Sequence, residues 1–322
     1  MNPLVPCRRL LCSLLGLAAL AMLLTSTASA AAKTLKVGFA QTGAESAWRT
    51  ANTESMKSEA AARGIDLKFA DAQGKPENQI RAVRSFIAQG VDAIIIAPIV
   101  TTGWEPVLRE AKQAKIPVIV MDRAVQVSDE SLYACFIGSD FAEEGRMAAE
   151  WLAKQTGGKG RILELQGTTG SDPANERRRA FAEAIAKYPG LKVIDSQSGD
   201  FQRQQGKEVM EALLKKHGHD FDIVYSHNDD MALGAIQAIE AAGLKPGKDV
   251  IIVSIDAIRE GVKAVADGKI NCVVECNPLF GPKAYDAVAK VVAGQPVPRK
   301  QYNKDELFDA TNAAAALPNR KY

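Results

Sequence analysis

Histidine is nearly absent: three residues in 322. No H-E-x-x-H, C-x-x-C, G-x-S-x-G or G-x-G-x-x-G occurs, so a zincin, a dithiol redox site, an esterase elbow and a dinucleotide fingerprint are all excluded as motifs. Gly243-Leu-Lys-Pro-Gly247-Lys248-Asp249 is one residue short of P-loop spacing and lacks its Ser or Thr, so it reads as a turn after a helix. His217-Gly-His219 reads as a surface loop. Charge of one sign is also lacking. The net charge is +2 and no long basic stretch appears, which leaves nothing to favour a nucleic-acid partner. Without an activated nucleophile or a metal-ligand cluster, the chain is expected not to be an enzyme and to need no cofactor.

Cysteine is sparse. Cys7 and Cys12 lie in an N-terminal segment with the form of a secretory signal: Arg8-Arg9, an apolar core over 10–24, and Ala28-Ser29-Ala30 as an A-x-A cleavage site. The core is short for a membrane span, so export with cleavage after Ala30 is expected, and a soluble, monomeric mature chain. Cys135, Cys272 and Cys276 remain. If Cys272 and Cys276 share a strand they stand about 13 Å apart, too far to bridge. Three buried thiols and no metal site are expected.

What is present is a chain of apolar runs alternating with amphipathic helices. The run 116–123, Ile-Pro-Val-Ile-Val-Met-Asp-Arg, reads as a strand buried on both faces that stops at Asp122-Arg123. The run 250–256 is its counterpart and stops at Asp256. Either aspartate alone would suit a solvated loop or a helix cap. Two at matching places suit a shared cleft, because ligands of open α/β sheets sit beyond the carboxyl ends of the strands. About five strands fall in each half, with a fifth over 132–138 and a last core strand over 270–275. The expected fold is α/β: two doubly wound lobes with parallel sheets and right-handed crossovers. No flexible linker separates the halves near Gly138-Ser139-Asp140, so short strand crossovers would join them and permit hinge closure.

Polar and aromatic residues gather at the strand ends: Glu45, Trp48 and Arg49, then Asp122 and Arg123, then Asn175, Phe201, Asn228, Asp256 and Glu275. This set suits a sugar. Carboxylates and amides accept from hydroxyls, arginine forks donate to ring and hydroxyl oxygens, and Trp and Phe pack on the C–H faces of a ring. Trp48 and Phe201 suit the core equally well. Two arginines against four carboxylates disfavour an anionic ligand.

Asp122-Arg123, Gly199-Asp-Phe201, Ser226-His-Asn-Asp-Asp-Met231 and Ser254-Ile-Asp256 resemble the signposts of periplasmic sugar-binding proteins of the ribose-binding type, receptors of ABC importers. Glu45-Ser-Ala-Trp48-Arg49, Glu77-Asn-Gln-Ile80, Thr102-Gly-Trp-Glu-Pro-Val-Leu108 and Gln197-Ser-Gly-Asp-Phe201 are most similar to members that bind galactofuranose. The resemblance implies the type I periplasmic binding protein fold, with a first lobe of 33–138 plus 277–299 and a second of 139–276 plus 300–322. It implies that Asp122, Arg123, Asn228 and Asp256 hold sugar hydroxyls, that Trp48 and Phe201 stack on the ring, and that Glu45, Arg49 and Glu275 complete the shell. Asn175 departs from the pattern, where the ribose-binding type has Arg. The implied partners are a monosaccharide, galactofuranose or another pentose or hexose, and the permease subunits of an importer. Docking on a chemotaxis receptor is compatible with the same fold. A regulator of the lactose-repressor type would need a DNA-binding helix pair where the signal stands.

Overall fold

In the computed structural model, Met1 and residues 34–322 are described; the expected signal segment, with Cys7 and Cys12, lies outside the described residues. The first half alternates through β1 (Lys36–Gln41), α1 (Ala47–Ala62), β2 (Asp66–Asp71), α2 (Pro76–Ala88), β3 (Ala93–Ile96), α3 (Glu105–Gln113), β4 (Val118–Met121) and β5 (Cys135–Gly138). Helix α4 (Phe141–Thr156) opens the second half. There follow β6 (Lys159–Gln166), α5 (Asp172–Ile185), β7 (Gly190–Ser198), α6 (Arg203–His217), β8 (Ile223–Ser226), α7 (Asp229–Ala241), β9 (Ile251–Asp256), α8 (Arg259–Ala266) and β10 (Cys272–Glu275). The chain closes with α9 (Gly281–Val292), β11 (Lys300–Tyr302), β12 (Leu307–Asp309) and the short α10 (Ala313–Ala316).

Two six-stranded sheets result, in the orders β11-β5-β4-β3-β1-β2 and β12-β10-β9-β8-β6-β7. Each reverses direction at its first strand, so each has a topological switch point at the carboxyl ends of its central strands. The central strands are apolar on both faces because helices cover both: β3, β4, β8 and β10 are buried throughout. Strand pairing is parallel except at β12, which runs antiparallel to β10. Edge strands β11 and β12 were not foreseen. They are three residues each, too short to show a period, and edge strands need no continuous apolar run. The expected strand over 132–138 is shorter, because Glu130–Leu132 winds into a 3-10 turn that Asp129 caps.

The chain changes sheets three times, and the crossovers are tied to one another. Asn303 N donates to Gly138 O at 2.8 Å, Asn303 Nδ2 to Asn277 O at 3.2 Å, and Asn277 N to Asp305 Oδ1 at 3.2 Å. The return into the first sheet runs on to Tyr302, past the expected stop at 299, because β11 pairs with β5. Residues 35–322 cluster as one compact unit. No described helix is long and apolar enough to cross a membrane. Cys135, Cys272 and Cys276 are free and buried, as the sequence implies.

Candidate functional site

The carboxyl ends of the strands of both sheets face one cavity. Its wall takes Glu45, Ser46, Trp48 and Arg49 from the loop after β1 and the first turn of α1, and Asp122 and Arg123 from the end of β4. Phe141 comes from α4, Pro173 and Arg177 from α5, Phe201 and Asn228 from the turns after β7 and β8, and Asp256 and Cys276 from the ends of β9 and β10. Eight of the ten residues singled out in the sequence are on this wall. Asn175 and Glu275 are not.

The backbone is strained where it delivers these groups. Seven described non-glycine residues have positive φ. Five of them are Asp122 (65°), Asp200 (52°), Phe201 (62°), Asp256 (122°) and Ala257 (57°), which are the strand-end turns at the cavity. Such conformations cost on the order of 1–3 kcal/mol each and persist only where the surroundings hold them.

Charge in the cavity is organised around buried arginines. Arg49 Nε donates to Glu45 Oε1 at 3.0 Å, its Nη1 to Gln41 Oε1 at 3.2 Å and its Nη2 to Asp122 Oδ2 at 2.7 Å. Ser46 caps α1, so the helix starts where Trp48 and Arg49 point inward. Arg123 reaches Ile99 O at 3.3 Å and Glu45 Oε1 at 3.4 Å, while its buried Nε makes no hydrogen bond. Burial opposes the charge of Glu45, but Arg49 and Arg123 outweigh it and hold the carboxyl below its usual range. Burial lowers Arg123, and repulsion from Arg49 adds to that effect.

Arg177 was missed. It is buried on α5, donates from Nε to Glu144 Oε2 at 2.7 Å and from Nη1 to His227 O at 2.6 Å, and turns Nη2 toward Asp256 Oδ1 at 3.6 Å. Asp256 has no closer cation, and burial pushes it well above the usual carboxylate range, Arg177 offsetting only part. A sequence signal existed. The buried phase of α5 is Pro173, Ala174, Arg177, Ala180, Phe181, Ala184 and Ile185, so Arg177 sits on the apolar stripe. Asn175 is two residues away, on the opposite side of the helix, and is exposed.

Glu275 fails for a related reason. Its neighbour Cys276 lines the cavity, and successive side chains at the end of an extended strand point to opposite faces. Glu275 instead accepts from Arg320 Nη1 and from the Tyr322 hydroxyl, both at 2.7 Å. Asn228 combines two roles. Its Oδ1 caps α7 by accepting from Met231 N at 3.0 Å, and its Nδ2 holds Phe201 O at 3.0 Å.

The aromatic groups sit against the arginines. Arg49 lies 4.7 Å from the Trp48 ring centre, Arg123 5.3 Å from Phe201 and Arg177 5.1 Å from Phe141. Trp48 also spans the sheets, with Nε1 donating to Cys276 O at 2.5 Å. The two sides of the cavity are tied by Ala47 N to Asp230 Oδ2 (2.8 Å), Ala124 N to Asp172 Oδ2 (2.9 Å) and Thr101 N to Gly170 O (3.1 Å). No group of three or more His, Cys, Asp or Glu is placed to hold a metal among the described residues.

Comparison with known proteins adds relatives to this geometry. The periplasmic binding protein domain family matches residues 37–296. The galactofuranose-binding protein YtfQ of Escherichia coli is 50% identical over 310 residues, 93% of this chain and 98% of its own. The binding protein of the arabinose ABC transporter of Shewanella sp. ANA-3, solved with α- and β-L-arabinofuranose, is 53% identical. It superposes with a TM-score of 0.86 over 89% of this chain and 95% of its own. A Mycobacterium smegmatis protein in complex with β-D-fucofuranose is 56% identical, with a TM-score of 0.87 over 90% of this chain and 96% of its own.

Proposed function

The chain belongs to the periplasmic binding protein domain family, and from that premise we propose that it is the sugar receptor of an ABC importer, taking a neutral monosaccharide in its five-membered-ring form between two lobes. The observation that carries this reading is the composition of the cavity: three arginines, three carboxylates and an asparagine between aromatic side chains.

The charge balance differs from the expected one. With Arg177 in the wall and Glu275 out of it, Arg49, Arg123 and Arg177 face Glu45, Asp122 and Asp256. The preference for a neutral ligand therefore rests on pairing and not on an acidic excess. Glu45, Arg49, Asp122 and Arg123 already pair with one another, and an anion would have to compete with those carboxylates. Hydroxyls fit because they donate to Asp122 and Asp256 and accept from Arg123 and Arg177 without displacing either sign. Trp48 and Phe201 would pack on the ring. That relatives were named for, or solved with, galactofuranose, arabinofuranose and fucofuranose supports the furanose form.

The lobes of this reading are 33–138 with 277–302 and 139–276 with 303–322, the second boundary moved to follow β11. Site residues come from both, so a ligand stabilises the closed form in which both sets touch it. Export to the periplasm as a monomer, and delivery to permease subunits, complete the proposal. Isothermal calorimetry with D-galactose, L-arabinose, D-ribose and a galactofuranose-containing sugar tests it. Binding of the sugars that populate a furanose is expected. Tight binding of a sugar phosphate or an amino acid, with no response to neutral sugars, would overturn it.

A further inference from the structure

Asp256 is delivered to the cavity by two consecutive residues in the left-handed half of conformational space, Asp256 at φ 122° and Ala257 at φ 57°. Neither is glycine, so the turn must be held from outside. Three holds are visible. Cys276 N donates to Asp256 O at 3.1 Å. Ile258 N donates to Asp229 Oδ2 at 2.8 Å, and Asp229 is itself fixed by Ser254 Oγ at 2.6 Å. The third hold comes from a remote segment: Arg320 Nη2 donates to Ala257 O at 2.6 Å.

Arg320 is in turn over-determined. Its Nη1 pairs with Glu275 Oε1 at 2.7 Å, and the same oxygen accepts from the Tyr322 hydroxyl at 2.7 Å. Its guanidinium lies 4.4 Å from the Tyr322 ring centre and 5.0 Å from that of Phe308. The segment is anchored at its backbone as well. Arg259 N donates to Tyr322 O at 2.5 Å, and Arg259 Nη1 donates to Leu317 O at 2.9 Å and to Arg320 O at 3.3 Å. None of these groups lines the cavity.

We propose that Arg320, locked by Glu275 and Tyr322, is a positioning residue for ligand binding: it clamps the carbonyl of Ala257 and so aims the Asp256 carboxylate into the cleft. The inference rests on the reading of Asp256 as a ligand-binding residue. It gives Glu275 and the 317–322 segment a role in affinity without contact with the ligand. A donor fork suits the place, because Nη1 and Nη2 reach a carboxylate and a carbonyl in one fixed plane, where a lysine would have to share a single nitrogen on a flexible stem between them.

The test is a double-mutant cycle read by calorimetry with D-galactose and L-arabinose, on R320M, D256N and R320M/D256N, with circular dichroism on each. D256N alone should bind more weakly. R320M alone should weaken binding by about tenfold or more, with R320K recovering part of the loss. In the D256N background, R320M should change affinity by less than about threefold, because the group it aims is gone. An R320M that binds like wild type, or one that weakens D256N as much as it weakens the wild type, overturns the positioning role. A D256N that binds like wild type would instead sink the reading of Asp256 itself. Should R320M not fold, Y322F tests the same lock: a loss of affinity at unchanged fold is expected, and an unchanged affinity counts against it.

Discussion

Replacing Arg177 by Met tests how the cavity is held. Met keeps the apolar stem and the place on the buried stripe of α5 but removes the guanidinium. Glu144 loses its 2.7 Å partner, His227 O loses a 2.6 Å donor and Asp256 loses its nearest cation. Glu144 is 1% exposed and its second oxygen is already without a hydrogen bond, so no solvent compensates. Removing one member of a buried pair costs about 3–5 kcal/mol. For a chain of this size that lowers Tm by on the order of 10 °C. The loss depends on pH. Burial pushes Glu144 up to about 8, against the pull of Arg177, so near pH 6 the carboxyl is protonated and the missing charge is felt least. At pH 9 the wild type holds an ion pair there and the variant holds an unpaired carboxylate or must bind a proton against its gradient. Urea and thermal unfolding of R177M at pH 6 and pH 9 should therefore show the larger deficit at pH 9. The R177M/E144Q variant should recover most of it, since a neutral amide leaves no buried charge. Equal stability of R177M and wild type at pH 9, or no recovery in the double variant, would refute the account.

Two further outcomes follow from the same geometry. Burial raises Glu144 to about 8, Asp229 to about 7 and Asp305 to about 6, from ordinary values of 4.5 and 3.8. The native state then binds more protons than the unfolded chain across that window, so the stability of the ligand-free protein should fall as pH rises from about 5 to about 8. Urea titrations along that series check it, and stability rising throughout would contradict it. Asp172 ties the two sides of the cavity through Ala124 N without lining it, so D172A should weaken sugar binding by roughly 0.5–1.5 kcal/mol, mainly through faster dissociation. Stopped-flow measurement with an unchanged off-rate would exclude that role.

The fold was legible because its signal is long-range and repetitive. Runs such as 116–121 and 250–255 are too apolar for a sheet wet on one side, and the helices between them carry stripes that only covered sheets can bury. The edge strands were not legible, since three residues carry no period and β12 pairs antiparallel against an otherwise parallel pattern. The return of the chain to the first sheet could be read only from resemblance, and its last strand, β11, pairs with β5.

The site divides along the same physical line. Residues at strand ends, such as Asp122, Phe201, Asn228 and Asp256, were found because a strand that stops at a polar residue marks a place where the sheet opens to a ligand. Residues on helices carry no such marker, because which side they face depends on the phase of the helix and not on their distance from a strand. For α5 the phase was decisive: two positions turn a side chain through about 200°, which separates exposed Asn175 from buried Arg177. The same criterion finds the partner. Glu144 falls on the buried stripe of α4 with Phe141, Gly145, Ala148 and Leu152. A Cβ on Gly145 would come within 2.6 Å of Arg177 O, so α4 and α5 touch closely at that level. An acid and an arginine, each on an apolar stripe of consecutive helices, are brought together because neither reaches solvent there. Such a pair is weak support for stability by itself, because desolvation offsets much of the attraction. Its value here is placement: the pair fixes a guanidinium beside Asp256, at a point where no strand end could have supplied one.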